Sequence, residues 1–219
     1  MMGSTIFLPL IFTSASLTIY GEMTTPIRRG LIYVFKPLTT TLIIMLAALL
    51  PGDPAGRYRL AILLGLGLSL LGDVFLMLPG DRFVPGLAAF LMAHLCYLVA
   101  FTAKVPFGVL PGALAPFATA VAPILILAWP KLQPQMRIPV VAYAFILGAM
   151  AGQALTLAVV DPMPSAFSAA AGAALFVLSD SALVVNRLVR AFRLSPLVVL
   201  AAYYAAQTLI ALSVAFAIP

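Results

Sequence analysis

Two aspartates and one histidine stand in stretches where an apolar chain has no ordinary use for them. Asp73 lies in SLLGDVFLMLPGDRFVPGLAAFLMAHLCYLVAF (69–101), which turns at Pro79-Gly80-Asp81-Arg82 and returns with His94, the chain's single histidine. Asp180 lies in LFVLSDSALVVNR (175–187). Each acid follows a small residue, Gly72 or Ser179. An ionisable group at the centre of a membrane segment costs roughly 2.5–3.5 kcal/mol on insertion scales, so such residues default to a functional reading. Two carboxyl groups sharing one buried site serve general acid/base chemistry, because burial and mutual repulsion keep one of them protonated.

Each residue also has a plainer role to weigh. Asp73 can be a buried acid bonded to Ser69 one turn back or paired with a neighbouring helix. Asp180 can be a polar bridge near the end of its helix, with Arg187 on the same face at i+7. His94 shares a helix face with Phe90 and Tyr97, where a packing role competes with a place in the site. Tyr203, Tyr204 and Gln207 form an i, i+3/i+4 polar stripe suited to a bundle interior. Asn186 lies six residues past Asp180. Lys36 precedes Pro37 and can snorkel to lipid headgroups, with Glu22 as a partner. Asp53, Asp81 and Asp161 fall in Pro/Gly turns and read as solvated turn residues.

The elements that position these residues follow from composition. Of 219 residues, 64% are hydrophobic and 8% charged, with mean hydropathy +1.17. Soluble domains carry about 25% charged residues, so the chain reads as an all-α, polytopic integral membrane protein. At roughly 20 residues per span it holds about eight helices in a single membrane domain, 1–219. The spans are expected near 6–20, 31–50, 58–78, 83–103, from 111 to 129 with kinks at its prolines, 138–159, 166–188 and 196–218. Helices 3–4 and 7–8 are each a small-Asp helix followed by a tyrosine-bearing one, which hints at two halves, 1–105 and 106–219. The small residues of SAAAGAAL permit close helix contact. The first apolar run lacks a positive n-region and a good cleavage site, so it is expected to stay as helix 1.

Charge sets an orientation. Loops after odd-numbered helices hold Arg28, Arg29, Lys36, Arg82, Lys131, Arg137, Arg187, Arg190 and Arg193, against Arg57, Arg59 and Lys104 after even-numbered ones. By the positive-inside rule the odd loops are cytoplasmic and both termini lie outside. Helices 3 and 7 then run toward the cytoplasm, placing Asp73 and Asp180 at similar depth in that half. The net charge of +6 is scattered between apolar runs, which excludes a nucleic-acid patch. One cysteine, Cys96, excludes an internal disulfide, and one histidine with one cysteine excludes a structural zinc site. It also excludes the multi-histidine zinc mechanism of membrane ceramidases. The GxGD pattern of diaspartyl intramembrane proteases is broken here, where Leu70-Leu71-Gly72-Asp73 stands.

The segments around Asp73 and His94, AGAALFVLSDSALVVNR, YYAAQTLI and YVFKPLTT (33–40) resemble, in the same order, the signature regions of the YhhN-like lysoplasmalogenase family. The resemblance runs from Glu22 to Ile210. It implies an eight-helix membrane hydrolase that splits the vinyl ether bond of a lysophospholipid substrate, the lysoplasmalogen, into a fatty aldehyde and a glycerophospho head group. It places the family's two acids on Asp73 and Asp180, with Lys36, His94, Tyr203, Tyr204 and Gln207 as pocket or supporting positions. The chemistry needs no metal or organic cofactor. Arg82, Arg187 and Lys36 are candidates for the phosphate. Two other classes fit an acid-bearing bundle, a proton-coupled transporter and a non-enzymatic lipid-binding protein. Nothing in the sequence reads the vinyl group directly or sets an oligomeric state.

Overall fold

A computed structural model describes residues 2–51 and 56–216. The helices are α1 (Met2–Met23), α2 (Arg29–Leu49), α3 (Arg57–Met77), α4 (Phe83–Thr102), α5 (Ala115–Ala128), α6 (Pro134–Val160), α7 (Pro164–Val184) and α8 (Ser195–Leu212). Together with their short helical extensions, all eight are long and apolar enough to cross a membrane. At 1.5 Å per residue, about 20 residues match a hydrocarbon core of about 30 Å. Their outer faces carry large apolar side chains such as Phe12, Ile138 and Phe145, 69–81% exposed. In water that would be a liability; in lipid it is the required solvent contact. The chain is a multi-pass integral membrane protein.

Local chemistry punctuates the spans as expected. Proline opens α6, α7 and α8 in the first turn, where its missing N–H has no helical partner to lose. Gly80 turns between α3 and α4 with φ +87°, a value open to glycine. The expected kinked fifth span is a short 3₁₀ turn, Pro111–Leu114, leading into α5. Three ends differ from expectation. The first helix extends beyond 6–20 at both ends. The seventh leaves α geometry at Val184 and closes with a π turn, Val185–Val189. The eighth ends at Leu212 and runs on as a 3₁₀ turn to Phe216. Asp53, in the expected Pro51–Pro54 turn, lies outside the described residues.

The tightest pairings are the sequential hairpins α3–α4, α7–α8 and α1–α2, joined through α4–α6, α6–α7, α2–α3 and α2–α8. Glycine sets the spacing of α3 and α4. A Cβ on Gly65 would stand 2.3 Å from the Tyr97 ring, and one on Gly72 would stand 2.6 Å from Phe90. Two aromatic rings thus lie in slots seven residues apart on α3. On the other hairpin, a Cβ on Gly172 would meet the Ala206 carbonyl at 2.8 Å.

Candidate active site

The small residue before each acid has a common job. Gly72 admits the Phe90 ring of α4, and the Ser179 hydroxyl donates to the Val199 carbonyl of α8 at 3.0 Å. One residue onward is about 100° around the helix. Asp73 and Asp180 therefore turn off their hairpin contacts, and both line one cavity of about 280 Å³. This cavity lies at the end of the bundle where α1, α3 and α7 finish and α2, α4, α6 and α8 begin. Helix ends set much of its rim, Glu22 of α1, Phe83 of α4 and Ser195 of α8, with Val140 about two turns into α6.

Asp73 is 1% exposed. Its Oδ2 accepts hydrogen bonds from Thr40 Oγ1 and Tyr203 Oη, each at 2.7 Å. Lys36 Nζ lies 3.7 Å from Oδ1. Lys36 and Thr40 stand one turn apart on α2 and so share a face. Tyr203 comes from α8, and three helices, α2, α3 and α8, therefore meet at this one carboxylate. The lysine does not snorkel and does not pair with Glu22. It is buried inside α2, spent on Asp73. Ser69, the expected local partner, instead bonds the Tyr97 hydroxyl at 3.2 Å.

Asp180 has different company. Tyr143 of α6 donates its hydroxyl to Oδ2 at 2.6 Å, and His94 Nε2 stands 3.9 Å from the same oxygen. His94 is fully buried and neither ring nitrogen makes a hydrogen bond. Three ring edges or faces enclose it: Phe176 at 4.9 Å, Tyr143 at 5.3 Å and Tyr97 at 6.3 Å between centroids. Phe176 also packs edge-on against Tyr203 at 5.6 Å, and Tyr203 against Phe90 at 5.8 Å. This aromatic wall joins the surroundings of the two acids.

Of the residues singled out in the sequence, the cavity wall brings together Asp73, Asp180, Lys36, Tyr203, Asn186 and Arg187. His94 is behind the wall, reaching it through Asp180. Tyr204 packs tilted against Tyr203, with its hydroxyl near Thr18 and Thr39, away from the lining. Gln207 is fully buried a turn farther in, and neither side-chain amide atom is paired. Arg82 is exposed at the start of α4 and does not line the cavity. Arg187 does not serve Asp180. Its Nη2 bonds both carboxylate oxygens of Asp81, at 2.8 and 2.9 Å. Asp81 is exposed, as a turn residue should be, but it is paired. The Arg187 hydrogen bond, with one from the Phe83 N–H, holds its carboxyl below the ordinary range.

Thr40 and Tyr143 were not singled out in the sequence. Thr40 had a usable signal in its i, i+4 spacing from Lys36. Tyr143 had only a hydroxyl in an otherwise apolar span.

A model of the YhhN family matches residues 31–214. A human protein named lysoplasmalogenase is 40% identical over 161 residues, which cover 74% of this chain and 66% of that protein. An Escherichia coli protein, named only as the uncharacterized membrane protein YhhN, is 32% identical over 181 residues, 81% of this chain and 84% of that one. A Mycobacterium tuberculosis protein named lysoplasmalogenase is 34% identical over 153 residues, 67% of this chain and 57% of that one. The chain thus spans less than two thirds of the length of the human and M. tuberculosis proteins. No solved structure gives a significant match.

Proposed function

The chain belongs to the YhhN family, and from that premise we propose that it is a membrane hydrolase of lysoplasmalogens. It would cleave the vinyl ether to a fatty aldehyde and a glycerophospho head group. Relatives carrying the name lysoplasmalogenase support the substrate class. The observation that carries the mechanism is that two carboxylates from different helices, Asp73 and Asp180, line the same cavity in unlike environments.

A vinyl ether hydrolyses by protonation of its β-carbon, which leaves an oxocarbenium ion for water to capture. Carbon protonation is slow at neutral pH, so a positioned acid is the main need. We assign it to Asp180, which has one hydroxyl donor and an aromatic-bound histidine as company. Asp73 is the ionised partner, because two hydroxyl donors and the Lys36 ammonium favour its charged form. Its charge stabilises the cation and its oxygen takes the proton from the attacking water. The hemiacetal then collapses. Its hydroxyl proton returns to Asp180, Asp73 protonates the departing glycerol oxygen, and both acids are restored.

The cavity end is the positive end. Arg28, Arg29, Arg82, Lys131, Arg137, Arg187, Arg190 and Arg193 lie there, against Arg57, Arg59 and Lys104 at the other end, with Lys36 now counted inside α2. We therefore place the active site toward the cytoplasm and both termini outside.

The test is aldehyde release by the detergent-purified protein from a lysoplasmalogen, set beside its saturated alkyl-ether analogue. Aldehyde from the vinyl ether alone, absent in Asp73→Asn and Asp180→Asn, is the expected result. A folded, monodisperse preparation that releases none would end the proposal.

A further inference from the structure

A lysophospholipid brings a phosphodiester anion to the cavity mouth, and a cation must meet it there. Among the described residues, two cationic side chains line the cavity, Lys36 and Arg187. Lys36 is buried and paired with Asp73, and moving it would strip the carboxylate of its ammonium. Arg187 is differently placed. It sits on the π turn that ends α7, whose wider winding turns Asn186, Arg187 and Leu188 all toward the cavity. Its guanidinium lies 4.1 Å over the Phe83 ring, and Phe83 also lines the cavity. That stacking positions the fork whether or not an anion is bound.

What occupies Arg187 is the Asp81 carboxylate, held through a single nitrogen, Nη2. Both partners are well exposed, 41% for the Arg187 side chain and 74% for Asp81. An ion pair this open to water is weak and screened by salt. Asp81 is carried on the Pro79–Arg82 turn between α3 and α4, while Arg187 belongs to α7. The pair therefore clasps the two hairpins that supply the two acids.

We propose that Asp81 is an intramolecular stand-in for the substrate's phosphate. It occupies Arg187 in the empty protein and yields to the phosphodiester of an arriving lysophospholipid. This assignment rests on the lysophospholipid reading above and deepens it. Arg187 then gives the preference for lipids that carry a phosphate, and Asp81, as its internal competitor, tempers it. A neutral ether lipid with the same chain has no anion to exchange for the carboxylate, so it binds without drawing on Arg187 and is indifferent to whether Asp81 holds it.

The exchange can be read without turnover. Binding of a saturated alkyl-ether lysophospholipid and of the matching 1-alkylglycerol would be measured on the purified full chain for wild type, Asp81→Asn, Asp81→Ser, Arg187→Gln and the Asp81→Asn/Arg187→Gln double variant. Monodisperse elution would be required of each. Removing the internal competitor should tighten the phospholipid about two- to fivefold and leave the alkylglycerol unchanged. Arg187→Gln should weaken the phospholipid and abolish the gain from Asp81→Asn. Parallel changes for both ligands, no change on removing the carboxylate, or a gain that persists without Arg187 would each overturn the assignment. Since neither ligand is cleavable, failure of the vinyl ether reaction would leave this binding result standing.

Discussion

Tyr203 of α8 donates its hydroxyl to Asp73 of α3 across 2.7 Å, although 130 residues separate them in the chain. The bond closes the network that also contains Thr40 and Lys36. Tyr203→Phe removes one donor and keeps the ring that packs on Phe90 and Phe176. A hydrogen bond to a charged group contributes about 1.5–3 kcal/mol. On the proposed roles, kcat for aldehyde release should fall about tenfold or more while KM stays nearly unchanged. An equal loss in KM alone would assign Tyr203 to substrate binding.

The Lys36–Asp73 pair makes a prediction about folding that is independent of chemistry. Removing one partner of a buried ion pair costs about 3–5 kcal/mol, whereas replacing both with apolar groups is often neutral. Lys36→Met should therefore lower Tm sharply, and Lys36→Met/Asp73→Leu should recover most of it. Aldehyde release should stay lost in both. Thermal unfolding in detergent, followed beside activity, checks the two halves separately.

Replacing either proposed acid should reduce turnover by on the order of 10²–10⁴-fold, the usual share of a positioned acid or base. Asp180→Asn keeps the acceptor for Tyr143, so its Tm should shift less than that of Asp73→Asn, which leaves Lys36 without its counter-charge. Equal Tm shifts would contradict the unequal environments described for the two acids.

The glycine slots on α3 are predicted to be intolerant in a graded way. Gly65→Ala forces a methyl to 2.3 Å from the Tyr97 ring, and overpacking of this kind costs about 1–3 kcal/mol. Gly67 faces open space, so Gly67→Ala should be neutral or gain up to about 1 kcal/mol in helix propensity. Paired melting curves decide it.

The Asp81–Arg187 clasp gives a pH dependence of fixed sign. The Asp81 carboxyl is held low by the Arg187 hydrogen bond. Its contribution is therefore present above the ordinary carboxylate value, about 3.9, and is lost as pH falls through the lowered folded-state value. The acid limb of Tm against pH should be slightly flatter in Asp81→Asn, and the difference should shrink in high salt.

Hydropathy alone was enough to read eight spans and to pick out Asp73 and Asp180, because a carboxylate among leucines is visible without knowing any contact. Their partners were harder to read. In lipid both the outer and inner faces of a helix are apolar, so the period that marks a buried stripe in soluble proteins is muted. Which helices stand side by side is then hidden, and with it the meeting of Tyr143 with Asp180. The plainer alternative for Asp180, a contact with Arg187, fails for a related reason. A straight α-helix puts Arg187 on the Asp180 face at i+7, but the π turn after Val184 breaks that register and turns the guanidinium to Asp81.

At about 280 Å³ the cavity falls at or below the ~300–1,000 Å³ that enclose a drug-sized ligand, too little for a glycerophospho head group and a long alkyl chain together. On the proposed function, the distal methylenes of a bound lysolipid would stay in the surrounding hydrocarbon while the head and vinyl ether sit inside. An enzyme of the proposed kind would sample its substrate in two dimensions. Its rate would follow the mole fraction of lysolipid in the bilayer or micelle, so adding detergent at constant substrate should slow it by surface dilution, and lengthening the chain should matter little.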